Sequence, residues 1–160
     1  MERASFDMVS YFETSRSRCF VCAFLAGDPD YPHTTLYDDG EFVAFLNRYP
    51  TLRGQALVVP RRHVEHVLTD LDEGEYARFM AVVRRVGLAM QNALPTERLY
   101  LLSLGSMQAN RHVHFHVAAL PPGVPLEQQQ YYALDMYNGV CQYAPGEEQE
   151  LAQRIAAALG

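Results

Sequence analysis

Apolar runs separated by turn-forming residues predict five β-strands in this chain. Residues 34–37 and 41–46 flank the turn Asp38-Asp39-Gly40, a combination typical of a β-hairpin. Further strands are predicted over residues 55–59, 98–104 and 112–120. The strands are short and rich in Val, Leu, Phe and Ala, as expected where a sheet face is buried.

Helical spacing follows the third strand. Apolar residues recur every three or four positions after residue 75, which predicts a long helix to about Leu94 that Pro95 terminates. Asp70, with Glu73 three residues later, predicts a capping box at its start. Residues 126–137 and 147–159 predict two C-terminal helices. The order of elements predicts an α+β fold with a mainly antiparallel sheet of about five strands, one long helix and C-terminal helices.

The chain length of 160 residues suits one domain. We expect residues 1–18 to form a weakly ordered or peripheral N-terminal extension. Residues 19–123 are expected to form the main domain, and residues 124–160 a C-terminal helical extension packed on it.

Composition and charge exclude several classes of protein. A formal net charge of −6 without a basic stripe argues against nucleic acid or a membrane surface as partner, but permits a small phosphorylated ligand. The first 18 residues contain six charged side chains and no apolar signal-peptide core, and no apolar run is long enough to span a bilayer. We therefore expect a cytoplasmic protein.

The segment 112–116 carries the most chemical information. His112, His114 and His116 alternate with Val113 and Phe115, so on a β-strand the three imidazoles would share one face, roughly 6.6–7 Å apart at Cα. Three interpretations are open: a hydrated polar face, a metal-binding His-x-His-x-His motif, or nucleophilic catalysis. In the last, one imidazole attacks phosphorus and a second hydrogen-bonds a phosphoryl or leaving-group oxygen.

Cys19 and Cys22 have the C-x-x-C spacing of zinc sites, and a tetrahedral site needs two more ligands. A pair of buried structural thiols is the alternative, and a thioredoxin-like redox role is weaker because no βαβ pattern surrounds the motif. Cys141 stands alone and is interpreted as a small buried apolar residue. The candidate histidine ligands are His33, His63, His66, His112, His114 and His116.

Four colinear pieces of the sequence resemble the histidine triad (HIT) superfamily of nucleotidyl hydrolases and transferases. They are Cys19-Phe20-Val21-Cys22, residues 37–47, residues 54–63 with the run Val59-Pro60-Arg61-Arg62-His63, and the alternating histidines at 112–118. Together they span roughly two-thirds of the chain, in the order and at intervals similar to the family's zinc-containing members.

The resemblance implies roles for individual residues. His114 would be the nucleophile that forms a nucleotidyl-histidine, and His116 would contact phosphoryl or leaving-group oxygens. A structural zinc ion would be held by Cys19, Cys22, His63 and His112.

The implied substrates are dinucleoside polyphosphates or nucleoside phosphoramidates, with magnesium only as a companion of the polyphosphate. Asn47 falls at the ribose-binding position, and Phe45 is a candidate for the base pocket together with Val21 and Phe24. Candidates for phosphate contacts are Ser103, Gln108 and Asn110. A homodimer is expected by resemblance alone.

The chain also departs from the family pattern. Gln55 stands where a histidine is usual, and the loop 105–111 before the triad is shortened. Three alternatives therefore stay open: a nucleotide-binding or interaction protein with little turnover, a metalloenzyme that uses all three histidines as ligands, and an interaction domain that uses the sheet edge.

Overall fold

A five-stranded antiparallel sheet forms the centre of the computed structural model, which describes residues 2–160. Its strand order is β1-β2-β3-β5-β4, so β3 and β5 are central neighbours and β4 is an edge. The strands are β1 (Thr35–Asp38), β2 (Phe42–Leu46), β3 (Ala56–Pro60), β4 (Arg98–Ser103) and β5 (Phe115–Leu120). The predicted α+β fold with an antiparallel sheet is confirmed.

Two helices cover one face of the sheet. The long helix α3 (Glu73–Ala93) turns a buried stripe that includes Phe79, Val83 and Met90 toward the strands. The C-terminal helix α5 (Glu147–Leu159) packs on α3 and contributes Leu151 and Ile155 to the same core. Residues 147–159 are therefore part of the main hydrophobic core.

The start of α3 differs from the sequence prediction. Asp72, not Asp70, caps the helix, because its carboxylate accepts from the Glu75 backbone N–H at 2.8 Å. Such a cap stabilises a helix by about 1 kcal/mol. Asp70 accepts from the backbone N–H groups of Glu65 and His66 and so closes the preceding loop.

The opposite face of the sheet carries the short helix α2 (Phe20–Leu25). Under it lies a second apolar cluster of Val21, Val43, Phe45, Leu57 and Val59, against which Phe20 and Phe24 pack. The cysteine motif spans the start of α2, since the Cys19 side chain caps the helix by accepting from the Cys22 N–H. The sheet therefore separates the α3 core from the face that carries the cysteines.

The predicted helix over residues 126–137 is wrong as a single element. The chain instead forms two 3₁₀ turns, Leu126–Gln128 and Met136–Asn138, on either side of the four-residue helix α4 (Tyr131–Leu134). Gln130 has a φ of 54°, which no residue inside an α-helix adopts. The helix therefore cannot continue from the first 3₁₀ turn into α4.

The N-terminal segment forms helix α1 (Met8–Ser17), which has no buried residue and is capped by Asp7. Asp7 closes its first turn, and Tyr11 joins it to the rest of the protein by accepting from the Asn110 amide and packing on Tyr49. The sequence predicted a weakly ordered or peripheral extension, whose first residue, Met1, lies outside the described residues. No helix among residues 2–160 combines the length and the apolar character needed to cross a membrane.

Candidate active site and metal centre

Four side chains from three separate parts of the chain meet beside α2. The ligand atoms of Cys19, Cys22, His63 and His112 all lie within 4.8 Å of one another. The Sγ atoms lie 3.2–3.7 Å from the Nδ1 atoms of the two histidines. With bonds of about 2.3 Å to sulfur and about 2.0 Å to nitrogen, tetrahedral zinc places such ligands about 3.6 Å apart. The donor set and its spacing fit zinc.

The outer nitrogens of the two histidines support the same interpretation. His112 donates its Nε2–H to the Pro60 carbonyl at 2.8 Å, and His63 donates to the Glu65 carboxylate at 3.2 Å. Each bond holds the proton on Nε2 and leaves the Nδ1 lone pair facing the thiols, as in metal-ligating histidines. Burial lowers the pKa of His112 to about 4, so the ring is neutral at pH 7. Burial also raises the pKa of the Cys22 thiol to about 11, and a bound cation would favour the thiolate.

Two histidines that were candidate ligands lie elsewhere. His66 is exposed on the loop that Asp70 closes. The His33 ring packs against Phe45 and Phe24, with centroids 4.8 and 5.1 Å away. Within residues 2–160, the four-residue set is the group of His, Cys, Asp and Glu side chains arranged to hold a metal.

The triad histidines do not form one row on a strand face, which corrects the sequence prediction. β5 begins only at Phe115, opposite Val58 of β3, because the Val113 N–H bonds the Val64 carbonyl instead of a neighbouring strand. His112 lies in a bend and turns its ring toward the cysteines. The structure therefore does not support a single metal site built from all three histidines.

His114 and His116 remain together. Their ring centroids are 5.0 Å apart, and the rings meet edge to face. His114 Nδ1 lies 2.6 Å from the His112 carbonyl oxygen, while His116 Nδ1 lies 3.0 Å from the Gln55 side-chain amide nitrogen. Burial lowers the pKa of His114, and burial with the adjacent His114 lowers the pKa of His116 to about 3. Both rings are therefore neutral at pH 7.

An aromatic cluster lies next to His114. Phe20 meets the His114 ring edge to face at a centroid distance of 5.8 Å and contacts Phe45 at 6.4 Å. Phe45 is fully buried and packs on Phe24 at 4.8 Å. The sequence pointed to Phe45 and Phe24 but missed Phe20 and His33, because their contacts depend on how α2 folds across β2.

The polar residues predicted to contact ribose or phosphate have different surroundings. Asn47 is half-buried, and its side chain bonds both backbone groups of Tyr49. Ser103, at the end of β4, lines a cavity of about 470 Å³ with residues 65–69 and 104–107. Gln108 is exposed in the tight turn between Ser106 and Ala109. Because Ser103 pairs with Phe115 and Leu102 with His116, the Ser103 side chain lies on the sheet face opposite to that of His116.

Asn110 lies closer to the histidines. Its backbone adopts a φ of 54°, and its side-chain amide donates to the Tyr11 hydroxyl at 2.8 Å. A Cβ at Gly105 would meet the Asn110 carbonyl oxygen at 2.8 Å and lie 3.9 Å from His114 Cε1. Only glycine allows this close crossing, which places the loop against the His114 ring.

Comparison with known proteins gives a consistent assignment. The family model described as HIT domain matches residues 28–122. An uncharacterized HIT-like protein of Mycobacterium tuberculosis is 33% identical over 107 residues, 65% of this chain and 71% of that protein. The adenosine 5'-monophosphoramidase of Schizosaccharomyces pombe is 27% identical over 129 residues, 72% of this chain and 92% of that enzyme.

Among solved structures, a Zn-bound histidine triad family protein from Mycobacterium smegmatis is similar, with a TM-score of 0.67 and 26% identity over 88% of this chain and 92% of that one. The HIT domain match covers more than half of the sequence and includes the whole histidine segment. The chain therefore belongs to the histidine triad (HIT) family.

Proposed function

We propose that this chain is a nucleotidyl hydrolase or transferase that forms a nucleotidyl-histidine on His114. The observation that carries the proposal is the 2.6 Å hydrogen bond between His114 Nδ1 and the His112 carbonyl. A carbonyl can only accept, so Nδ1 holds the single proton of the neutral ring. The lone pair is then on Nε2, and an imidazole oriented in this way is a nucleophile.

In the proposed reaction, His114 Nε2 attacks the α-phosphorus of a nucleotide. The P–N bond forms as the bond to the leaving group breaks, and the leaving group departs with its electron pair. The Nδ1–H remains hydrogen-bonded to the His112 carbonyl, and this bond stabilises the positive charge of the substituted ring. Water then attacks phosphorus, the electron pair of the P–N bond returns to Nε2, and the water proton passes to solvent. His116 hydrogen-bonds a phosphoryl or leaving-group oxygen.

The proposed substrates are dinucleoside polyphosphates or nucleoside phosphoramidates. The named activity of the Schizosaccharomyces pombe relative supports a phosphoramidate. In the aromatic cluster, Phe20 and Phe24 are half-buried above the fully buried Phe45, and their rings offer surface against which a nucleobase can pack. We assign Asn47 to the ribose and Asn110 to phosphate. Ser103 is a weaker candidate because its side chain lies on the sheet face opposite to that of His116, and Gln108 is weaker because it is exposed.

We also propose that Cys19, Cys22, His63 and His112 hold a zinc ion. Four protein ligands close the coordination shell, so the ion would supply structural constraint and leave the nucleophile to His114. The Zn-bound relative from Mycobacterium smegmatis supports this assignment. Because His112 would be a ligand through its ring while its carbonyl holds His114, the ion would fix the orientation of the nucleophile.

Product analysis tests the proposal. Purified protein is incubated with diadenosine tetraphosphate and with adenosine phosphoramidate, with and without phosphate, beside His114→Ala and the control His66→Ala, which alters an exposed histidine. We expect His114→Ala to lose turnover by at least about a thousandfold and His66→Ala to retain it. Turnover that survives in His114→Ala would exclude the mechanism.

Burial of the nucleophile favours one second candidate, a nucleotide-binding protein with little turnover. His114 exposes only 4% of its surface, which limits access to Nε2. Tight nucleotide binding, without a nucleotidyl-histidine detectable by mass spectrometry at neutral pH, would support this candidate over the enzyme.

A second copy of the chain is the proposed partner. Edge strand β4 and the adjacent loop expose Leu101, Leu104 and Met107, at 49%, 61% and 56% of their surface. Exposed apolar side chains along a sheet edge are typical of an interface. Light scattering should show a dimer that Leu101→Glu dissociates and the control Leu126→Glu, an exposed leucine distant in sequence, does not; a wild-type monomer would exclude the proposal.

A further inference from the structure

The orientation of the Gln55 side chain is determined by its neighbours. Gln55 is buried, with 4% of its surface exposed, and its Oε1 lies 2.8 Å from the Thr51 backbone nitrogen and 3.2 Å from the Thr51 hydroxyl. A backbone N–H can only donate, so the amide atom facing Thr51 is the oxygen. The amide NH₂ group must therefore face the other way, toward His116.

This orientation determines which nitrogen of His116 carries a proton. The Gln55 amide nitrogen has two hydrogens and no acceptor capacity, and it lies 3.0 Å from His116 Nδ1. Nδ1 must accept, so the single proton of the neutral ring is on Nε2. The burial that lowers the pKa of His116 keeps the ring neutral at pH 7.

The two imidazoles therefore have opposite tautomers. His114 holds its proton on Nδ1 and exposes a lone pair on Nε2, whereas His116 accepts on Nδ1 and presents an N–H at Nε2. Nucleotidyl transfer needs both, a lone pair for phosphorus and a donor for a phosphoryl or leaving-group oxygen. If both rings carried the proton on the same nitrogen, the pair would lack either the lone pair or the hydrogen-bond donor.

We infer that Gln55 is a positioning residue that fixes His116 as the Nε2–H tautomer, and so makes His116 a permanent hydrogen-bond donor to the reacting phosphate. The inference rests on the proposed function. Gln55 itself touches His116 and not the substrate. Because an amide does not ionise, the donor is present at every pH at which the fold is intact.

Among residues 2–160, His114 is the titratable group that faces the His116 ring. Its strand partners are Leu57 on β3 and Leu102 on β4, and Gln55 and Thr51 are uncharged. The loop that carries them is braced by the Cys141 N–H, which donates to the Pro50 carbonyl at 2.7 Å.

The tautomer can be measured without turnover. Long-range ¹H–¹⁵N spectra of the imidazoles at pH 7, assigned with His116→Asn, should show His116 protonated on Nε2 in the wild type. In Gln55→Leu, which removes the amide donor, both tautomers should be populated. A wild-type His116 protonated on Nδ1, or an unchanged spectrum in Gln55→Leu, would overturn the inference even if no substrate is turned over.

The pH profile of kcat provides the functional test. In Gln55→Glu the carboxylate accepts from His116 Nδ1, so the neutral ring loses its Nε2–H and donates from Nε2 only while it is protonated. We expect kcat of Gln55→Glu to fall as pH rises and to be about 100-fold below the wild type at pH 8, where the wild-type profile stays flat. The control Gln142→Glu adds the same charge at an exposed position and should follow the wild type.

Wild-type and Gln55→Glu profiles of the same shape, in an enzyme that turns over substrate, would overturn the role of Gln55 and leave the proposed function intact. If Gln55→Glu does not fold, Gln55→Leu provides the test. Its kcat should fall by up to about tenfold, with a pH profile of the same shape as the wild type. A kcat equal to that of the wild type would contradict the inference. Failure of the wild type to cleave any nucleotide would instead reject the proposed function.

Discussion

The metal cluster and the His114–His116 pair lie two residues apart in the chain and differ in how they are built. Three chain segments contribute the four ligands of the cluster, and His63, with 38% of its side chain exposed, lies at the protein surface. The His114–His116 pair comes from one segment, and His114 is buried. The first site is assembled by the fold as a whole, whereas the second depends on local backbone geometry and two hydrogen bonds.

His112 connects the two sites because its two ends serve different ones. Its ring faces the cysteines, and its carbonyl accepts from His114. A shift of the His112 ring by loss of the proposed metal would move the carbonyl that orients the His114 ring. The comparison predicts that damage to the cluster reaches catalysis, while damage to the pair leaves metal binding unchanged.

Removal of the metal should have the largest effect on the fold. At free zinc of about a thousand times Kd, binding stabilises the folded state by about 4 kcal/mol, which for a chain of this size is a Tm shift of about 8–16 °C. We expect a chelator to lower Tm by this amount and to reduce kcat. Full zinc content in His114→Ala is the matching control for metal binding, and a chelator without effect on wild-type Tm would contradict the structural role.

Acid should destabilise the protein through His116. The pKa of His116 is lowered to about 3, so the unfolded chain binds the proton near pH 6.5 while the folded protein does not. The contribution is complete well above pH 6.5 and is lost as pH falls, by about 1.4 kcal/mol per pH unit well below pH 6.5 and by about 2.3 kcal/mol between pH 6.5 and 4.5.

Urea unfolding with a chelator present isolates this effect from metal release. His116→Asn should show a shallower pH dependence than the wild type by the same amount. Equal slopes would mean that His116 titrates normally in the folded state.

Glu65 tests the cluster without removing a ligand. Glu65→Gln keeps an oxygen acceptor for His63 but removes the charge, and we expect zinc affinity to fall about 10- to 100-fold. Kcat at saturating zinc should be unchanged, in contrast to Gln55→Glu. Competition with a chromophoric chelator measures the affinity; Arg111→Met, which removes the other partner of Glu65, is the control.

Tyr11→Phe should have the smallest effect and should act on the catalytic side alone. It removes the acceptor of the Asn110 amide, which costs about 1 kcal/mol of stability. Zinc content should match the wild type. A decrease in zinc content would show that α1 supports the cluster as well, and the contrast between the two sites would be weaker than proposed.

Periodicity predicted the elements that bury a regular face. β2, β3 and α3 were located within a few residues, because their apolar side chains repeat at the spacing of strand or helix. The four ligands were also expected together, from the resemblance. The helix over residues 126–137 was wrong because only Ala133 is buried in α4, so no packed face extends a helix there.

The contacts that orient the histidines could not be read from local sequence. His112 leaves the strand because residue 113 pairs with Val64, a contact between loops 49 positions apart. The bond between Gln55 and His116 depends on the register that sets Leu57 opposite His116. The available signal was Gln55, a polar residue directly before the apolar strand β3. Interpreting it required knowing that β3 pairs with β5 in the register that brings Gln55 to His116.

The crossing of Gly105 and Asn110 has an evolutionary consequence. The two residues are pinned against each other and against His114, while residues 106–108 project from them as an exposed turn. Substitutions and insertions in that turn can accumulate without moving His114, whereas any side chain at position 105 meets the Asn110 carbonyl. In the proposed enzyme, substrate contacts made from this turn, such as one from Gln108, can therefore change over evolution while the chemical step on His114 stays the same.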